Sequence, residues 1–403
     1  MIRHKRQVEP NRLGKNFPAA AAGVFFPLLA FCLIGFPNSA AASPQETGLQ
    51  GQVSAWLTIP FEQGRGVPVG LRYIPIFSLK MPAGSGWTFD LEASANAFFT
   101  VDASTGWGSR RTEVEPYRAW VRMTTDRFEA RLGLQKIEFG PARILRPLMW
   151  FDRVDPNDPL QLTDGVTGLL LKYTFQNNAA IWGWGLTGNY ERKGWETFPT
   201  RGDDTLELGG RAQIPAFGGE LAVTFHRRRL DAFGGLLPVA PDEQASVPET
   251  RLGLDGYWDV GPGLWFEAVF TTQDFAVSPY RFQKALAVGA ENTFGLGGGL
   301  TVLAEHLFIQ SSLGFWEAGA NRSLSALSLD LPLGLLDRIR ATVFRDWTGG
   351  DWYRLLTWQR TTDRWSFTVI AFWNPETYGL YGGASGSNLF GGRGLYLMVA
   401  WNH

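Results

Sequence analysis

Apolar and polar side chains alternate with a period of two along most of the chain after residue 50. The clearest run is 87–99. Trp87, Phe89, Leu91, Ala93, Ala95, Ala97 and Phe99 face one way there, and Thr88, Asp90, Glu92, Ser94 and Asn96 face the other. Such alternation marks a β-strand with one apolar face. The run exceeds the usual strand of about five or six residues and suits the roughly 9–11 residues with which a tilted strand crosses a bilayer. Comparable segments fall near 52–59, 68–80, 87–99, 114–123, 126–137, 165–175, 179–190, 204–213, 219–228, 250–258, 263–273, 282–292, 299–309, 323–331, 337–346, 352–360, 364–374 and 393–402, about 18 strands with 16 as the alternative.

The links between these segments alternate in kind. Thr124-Thr125-Asp126-Arg127, Gln176-Asn177-Asn178, Ala216-Phe217-Gly218, Val260-Gly261-Pro262 and Thr361-Thr362-Asp363-Arg364 are tight turns, and between them lie the longer stretches 100–113, 138–164, 191–203, 229–249, 274–281, 310–322 and 375–392. Short turns at one end and long loops at the other predict an all-β, antiparallel, up-and-down transmembrane barrel with both termini in the periplasm. Trp365 and Trp373 share one face of one segment, at heights suited to two aromatic girdles. A soluble sandwich could not bury the many charges on the opposite faces without partners.

The first 42 residues change the picture at the start of the chain. Arg3, Lys5, Arg6, Arg12 and Lys15 precede an apolar stretch over 19–36, and Ala40-Ala41-Ala42 supplies a small-residue cleavage site. This predicts a secretory signal peptide over 1–42 and a single barrel over 43–403. Cleavage there removes the one cysteine, Cys32, so no disulfide is expected. It also removes five of 37 basic and one of 38 acidic residues, leaving a balance of −5, which argues against a nucleic-acid partner. Leu395, Leu397, Val399 and Trp401 alternate to the end of the chain, the pattern by which the barrel-assembly machinery reads a last strand. The expected home is the outer membrane, with its lipid as a partner.

Parity places Arg118 and Arg122 on one luminal face, Arg131 and Gln135 on the next, and Arg338 and Arg340 on a third, with Arg211, Arg228 and Arg251 also on polar faces. Asp90, Glu92, Glu129, Glu207, Glu267 and Glu291 lie on such faces as acidic partners. Rows of guanidinium facing carboxylate favour small charged or polar solutes. The segment 138–164 is too long for an ordinary connection and holds Ile144, Leu145, Leu148, Met149, Trp150 and Phe151 close together, so it is expected to pack into or over the barrel mouth. Its Arg143, Arg146 and Arg153 are candidates to meet the Arg118–Arg122–Arg131 patch, and Asp152, Asp155 and Asp158 are added as pore-constriction residues. Pro156 and Pro159 interrupt any calcium loop, and turn capping accounts for the aspartates, so neither metal nor cofactor is expected.

Residues 131–145, RLGLQKIEFGPARIL, resemble a motif of the alginate-export family of outer-membrane barrels. Gly133, Gln135, Phe139, Gly140 and Arg143 match it, Leu134 and Pro141 depart from it, and Asp164-Gly165-Val166 resembles the opening of the family's next strand. The resemblance implies an 18-stranded barrel with an arginine-lined passage for anionic polysaccharide. The functional expectation is a porin-like channel for diffusion or export of small or extended polar or anionic solutes. One alternative is a barrel that sheathes a partner such as a multihaem cytochrome, the haems belonging to the partner because the chain has no C-x-x-C-H. A lesser one is an outer-membrane hydrolase. Of His226, His306 and His403 only His226 is expected in the lumen, no serine is spaced to pair with it, and an enzyme is not expected.

Overall fold

The computed structural model describes residues 46–104, 110–152, 160, 162–201, 205–231, 246–274, 281–376 and 389–403. The leader segment 1–42 and Arg153, Asp155 and Asp158 lie outside the described residues. Among the described residues there are eighteen strands: β1 Glu46–Pro60, β2 Pro68–Gly84, β3 Trp87–Asp102, β4 Arg111–Thr124, β5 Phe128–Gln135, β6 Val166–Thr174, β7 Ala180–Leu186, β8 Glu207–Ala216, β9 Gly219–Asp231, β10 Ser246–Asp259, β11 Gly263–Gln273, β12 Phe282–Phe294, β13 Leu300–Ser312, β14 Ala320–Leu333, β15 Asp337–Asp346, β16 Trp352–Thr361, β17 Trp365–Trp373 and β18 Arg393–Asn402. Each pairs antiparallel with its neighbours in sequence, and β1 pairs with β18 from Gln52↔Asn402 to Pro60↔Gly394. The sheet is therefore a closed barrel of 18 strands and not 16.

All eighteen expected segments are strands, in order. Two are shorter than their alternation. β5 ends at Gln135 and β7 at Leu186, because the chain leaves the wall there for the long segments 136–165 and 187–206. The start of β1, the end of β18 and the short turns share one end of the barrel. The recurrent TTDR sequence proves to be one turn used twice. The Thr125 hydroxyl accepts the Phe128 N–H and the Thr362 hydroxyl accepts the Trp365 N–H, both at 3.1 Å, and each threonine N–H donates back to the same residue's carbonyl. His403 extends the closure. It exchanges two backbone hydrogen bonds with Gly51, and its ring stacks on Trp401 and Tyr73.

The outward face is an apolar belt. Leu132, Leu169, Leu171, Ile181, Val223, Phe225, Leu252, Leu254, Leu286, Val288, Leu327 and Leu356 are all exposed on it. Contiguous apolar surface of this extent belongs in lipid. Trp365 pairs across the sheet with Trp401 near the short-turn end, and Trp373 pairs with Arg354 and Arg393 near the other, so the two tryptophans of β17 mark opposite rims of the belt.

The inward face departs from the expected polar wall. From β13 round to β18 and β1 it carries Leu303, Leu307, Leu324, Phe344, Tyr353, Leu355, Ile370, Phe372, Tyr396 and Trp56, all buried. The barrel interior therefore holds a hydrophobic core, filled by Ile144, Leu145 and Leu160 together with Trp195 and Phe390.

Candidate functional site

The lumen and the segment folded into it form the candidate site. Gly133 lets the strand pass close to β4, at φ 121° and with any Cβ only 2.2 Å from the Ala119 carbonyl oxygen. Residues 136–152 then turn inward. At Gly140, φ 89°, the place of a Cβ is taken by the Glu267 carboxylate, so the glycine makes room for the contact that anchors the loop.

Two wall carboxylates hold this loop by its main chain. Glu267 of β11 accepts the N–H groups of Ala142 and Leu148, each at 2.9 Å. Glu305 of β13 accepts those of Arg143 at 2.6 Å, Ile144 at 2.9 Å and Leu145 at 2.6 Å, and takes the Trp265 indole N–H at 3.1 Å. Both acids are buried. A hydrogen bond contributes about 0.5–1.5 kcal/mol net and leaving such a buried N–H unpaired costs about 1–3 kcal/mol, so five of them fix the loop firmly.

Packing completes the anchor on both sides. Leu145 is fully buried against the apolar wall that includes Leu307, Leu324, Phe344 and Ile370. On the other side Phe139, Trp150, Phe151 and Trp184 form an aromatic cluster with ring centroids 5.3–5.8 Å apart for Phe139–Trp150, Phe139–Trp184 and Phe151–Trp184. His226 closes it, accepting the Trp184 indole N–H on Nδ1 at 3.2 Å, which leaves its proton on Nε2 for Glu207 at 3.1 Å. The loop thus crosses the lumen from the β5–β6 wall to β13.

The charges of β8–β11 are sealed beneath it. Arg211 meets Asp255 bidentately at 2.6 and 2.8 Å. Arg228 and Arg251 share Glu249 and Glu196, the latter from segment 187–206, and Gln273 donates to the same Glu249. The luminal side of β2–β5 differs. Arg122 pairs with Asp90 at 2.7 Å and Arg131 with Glu129 at 2.6 Å, in pairs that stay partly exposed. Arg122 and Arg131 are cross-strand partners and flank Trp120, their guanidinium carbons 5.5 and 5.0 Å from its ring centre. Arg72 lies further along this wall, over Trp56 and Phe98.

The other expected site residues scatter. Arg118 is buried and holds the far end of the loop, donating to the Thr163 carbonyl at 3.0 Å and to the Thr163 hydroxyl. Gln135 is fully buried and donates to the Gly168 carbonyl at 2.9 Å. Arg143 is exposed, with its backbone on β13 across the lumen from β4. Arg146 turns to Glu138 and the Phe139 carbonyl. The expected meeting of Arg143 and Arg146 with the β4–β5 arginines therefore does not occur, because the backbone anchors point the loop the other way. Asp152 is buried and accepts the Asp164 N–H at 2.9 Å. Arg338 and Arg340 pair with Asp330 near the short-turn end. Burial opposes ionisation of Glu138 in the loop, but hydrogen bonds and charge from Lys136 and Arg146 outweigh it and hold its carboxyl below the usual 4.5.

Sequence reading missed Glu305, Glu196, Arg72 and Trp120 as site residues. For Arg72 the signal was blurred, since Ile74 and Ile76 share its face. Glu305 carried no signal beyond its place on the inward parity of a strand.

No family model matches the chain, so the alginate-export resemblance rests on its short motif. No curated protein matches it either. Among solved structures it is similar to OccAB1 of Acinetobacter baumannii, at TM-score 0.53 and 10% identity over 89% of this chain and 95% of that one. It is similar to OccK5 (OpdH) of Pseudomonas aeruginosa at TM-score 0.52 and 12% identity over 89% and 97%. The fold is that of the outer-membrane porins. At such identities the likeness is one of fold, and the apolar belt with its aromatic rims agrees with an outer-membrane location. A loop-deletion mutant of OmpT, an outer membrane protein of Vibrio cholerae, aligns more loosely, at TM-score 0.48 and 9% identity over 89% and 99%.

Proposed function

We propose that the protein is a passive outer-membrane channel for small polar solutes with a preference for anions, the passage running between the inserted loop and the β2–β5 wall. One observation carries this reading. The luminal side chains of β8–β11 are buried under the loop, whereas those of β3 and of β4 around Trp120 and Arg122 keep contact with solvent. Arg72, Arg122 and Arg131 then supply the positive potential, beside Asp90 and Glu129, to which an anion responds at close range. In this reading the leader 1–42 is removed on export, the termini stay in the periplasm, and the strand ending near Trp401 guides assembly.

The motif that resembles one of the alginate-export family supports the loop more than the solute. Gly133, Gln135, Phe139 and Gly140 all act in seating it. A sheath around a threaded partner is disfavoured, because the loop occupies the cross-section such a partner would need. A hydrolase is disfavoured too, since both ring nitrogens of His226 are taken by Trp184 and Glu207. The test is single-channel conductance of the mature protein in a planar bilayer, with the reversal potential under a salt gradient. Stable small conductance with anion selectivity is expected; a folded barrel with no conductance overturns the channel reading.

A further inference from the structure

We propose that a recess on the lipid-facing wall, with Arg345 and Arg354 at its rim, binds the phosphate of a lipid, an outer-leaflet one on the channel reading, which puts the long-loop rim outside the cell. Val288, His306, Ser325, Arg345 and Trp352 form one continuous cross-strand row from β12 to β16. The row borders an open recess of about 670 Å³ whose floor is Ala290, Ala304, Leu327 and Val343. Most of the belt around it is aliphatic or aromatic, and a histidine with an arginine on a lipid face is costly unless each has a task.

The polar groups here are organised. The Trp347 indole N–H donates to Ser325 Oγ at 2.9 Å. That directs the Ser325 hydroxyl hydrogen to His306 Nδ1 at 2.8 Å and leaves the His306 Nε2 proton for Ser323 Oγ at 3.2 Å. Arg345 lies between Trp347 and Trp352, 5.5 and 5.0 Å from their ring centres, and spends one Nη on the Gly350 carbonyl at 2.6 Å. Arg354 adds a second guanidinium on Trp352 at 5.6 Å. Among the described residues no carboxylate pairs with Arg345, Arg354 or His306, and Glu305, which also borders the recess, turns its acid to the lumen. The Ser325–His306–Ser323 chain satisfies itself, and the two guanidinium groups await an acceptor with several oxygens.

Height selects the source of that acceptor. Trp347 and Trp352 are exposed and stand with Trp373 at the long-loop rim of the belt, where aromatic girdles meet lipid headgroups. The apolar floor lies on the bilayer side of the cations and suits an acyl chain. A second copy of this chain docked about a two-fold axis would instead bring like-charged patches together.

The experiment uses the mature barrel in phosphatidylcholine nanodiscs doped with phosphatidic acid, and native mass spectrometry of the lipids retained after release. Wild type is expected to retain phosphatidic acid over phosphatidylcholine, and Arg345→Gln to lose about tenfold of that preference, the worth of a charge-assisted contact. Arg354→Gln should lose part of it, and Arg227→Gln, an outward arginine elsewhere on the wall, none. Should Arg345→Gln fail to fold, the contrast between Arg354→Gln and Arg227→Gln reads the same site. Equal retention in all variants, equal loss in Arg227→Gln, or a retained second chain in place of lipid overturns the proposal.

Discussion

On β8–β11 the luminal arginines are sealed. The Arg228 side chain is 3% exposed and its partner Glu249 1%. Arg122 of β4 and Arg131 of β5 stay wet, with the Arg122 side chain 32% exposed beside Asp90, although Arg118 of β4 is buried where it holds the loop. Both walls satisfy their charges, yet with different consequences. In the sealed sector an ion pair is a fixed joint that no solute reaches. In the open sector it is a weak pair whose cation remains free to meet a passing anion. What separates them is the loop, which covers one wall and leaves the other.

The sharpest way to break this contrast is to release the loop. Glu305→Ala takes the acceptor from three loop N–H groups and from the Trp265 indole, and a buried one left unpaired, as at Leu145, costs about 1–3 kcal/mol. Single-channel conductance should rise several-fold as the loop leaves the lumen, and unchanged conductance would show that packing alone seats it. Next, Glu249→Ala should destabilise the barrel by about 3–5 kcal/mol, as removal of one member of a buried ion network does. Asp90→Ala in the open sector should cost only about 0–1 kcal/mol. Denaturant unfolding of the two variants in detergent compares the walls directly, and equal losses would erase the distinction.

Selectivity gives a smaller effect. Arg122→Ala with Arg131→Ala should move the permeability ratio toward cations on the order of twofold, since partly exposed pairs are worth only about 0–1 kcal/mol. Arg143→Ala should shift it less if the passage follows β2–β5. Acid sensitivity gives the smallest. The Glu138 carboxyl is held below its unfolded value of 4.5, so its stabilising contribution is complete above that pH and disappears as the pH falls through the lower, folded value. Glu138→Gln should lack the part of the acid-induced change in conductance that this group causes, measured against wild type across the same range.

The sequence predicted the strands well because lipid demands an apolar residue at every second position, which writes the register into the chain. It also marked the loop, through its length and through residues such as Trp150 and Phe151 that no exposed connection would keep. It did not mark the loop's anchors. A carboxylate that accepts backbone N–H groups needs no particular partner residue, so nothing in Ala142–Leu148 points to Glu267 or Glu305. Nor did alternation foresee an apolar inner wall, since Leu307 and Phe344 look like breaks in a pattern until the loop is seen against them. Arg118 was read with Arg122 by parity alone, and only the return of Thr163 beside it separates their surroundings.

Because Glu267 and Glu305 grip main-chain N–H groups, they make few demands on the side chains of the segment they hold. Any amino acid except proline offers the same handle at 142–145 and at 148. The loop's two prolines in this stretch, Pro141 and Pro147, sit just before the gripped residues, where a missing N–H is not missed. Descendants of this chain can therefore exchange the exposed residue at 143 by single steps while the loop stays seated, so the charge presented at the constriction can change without rebuilding the barrel.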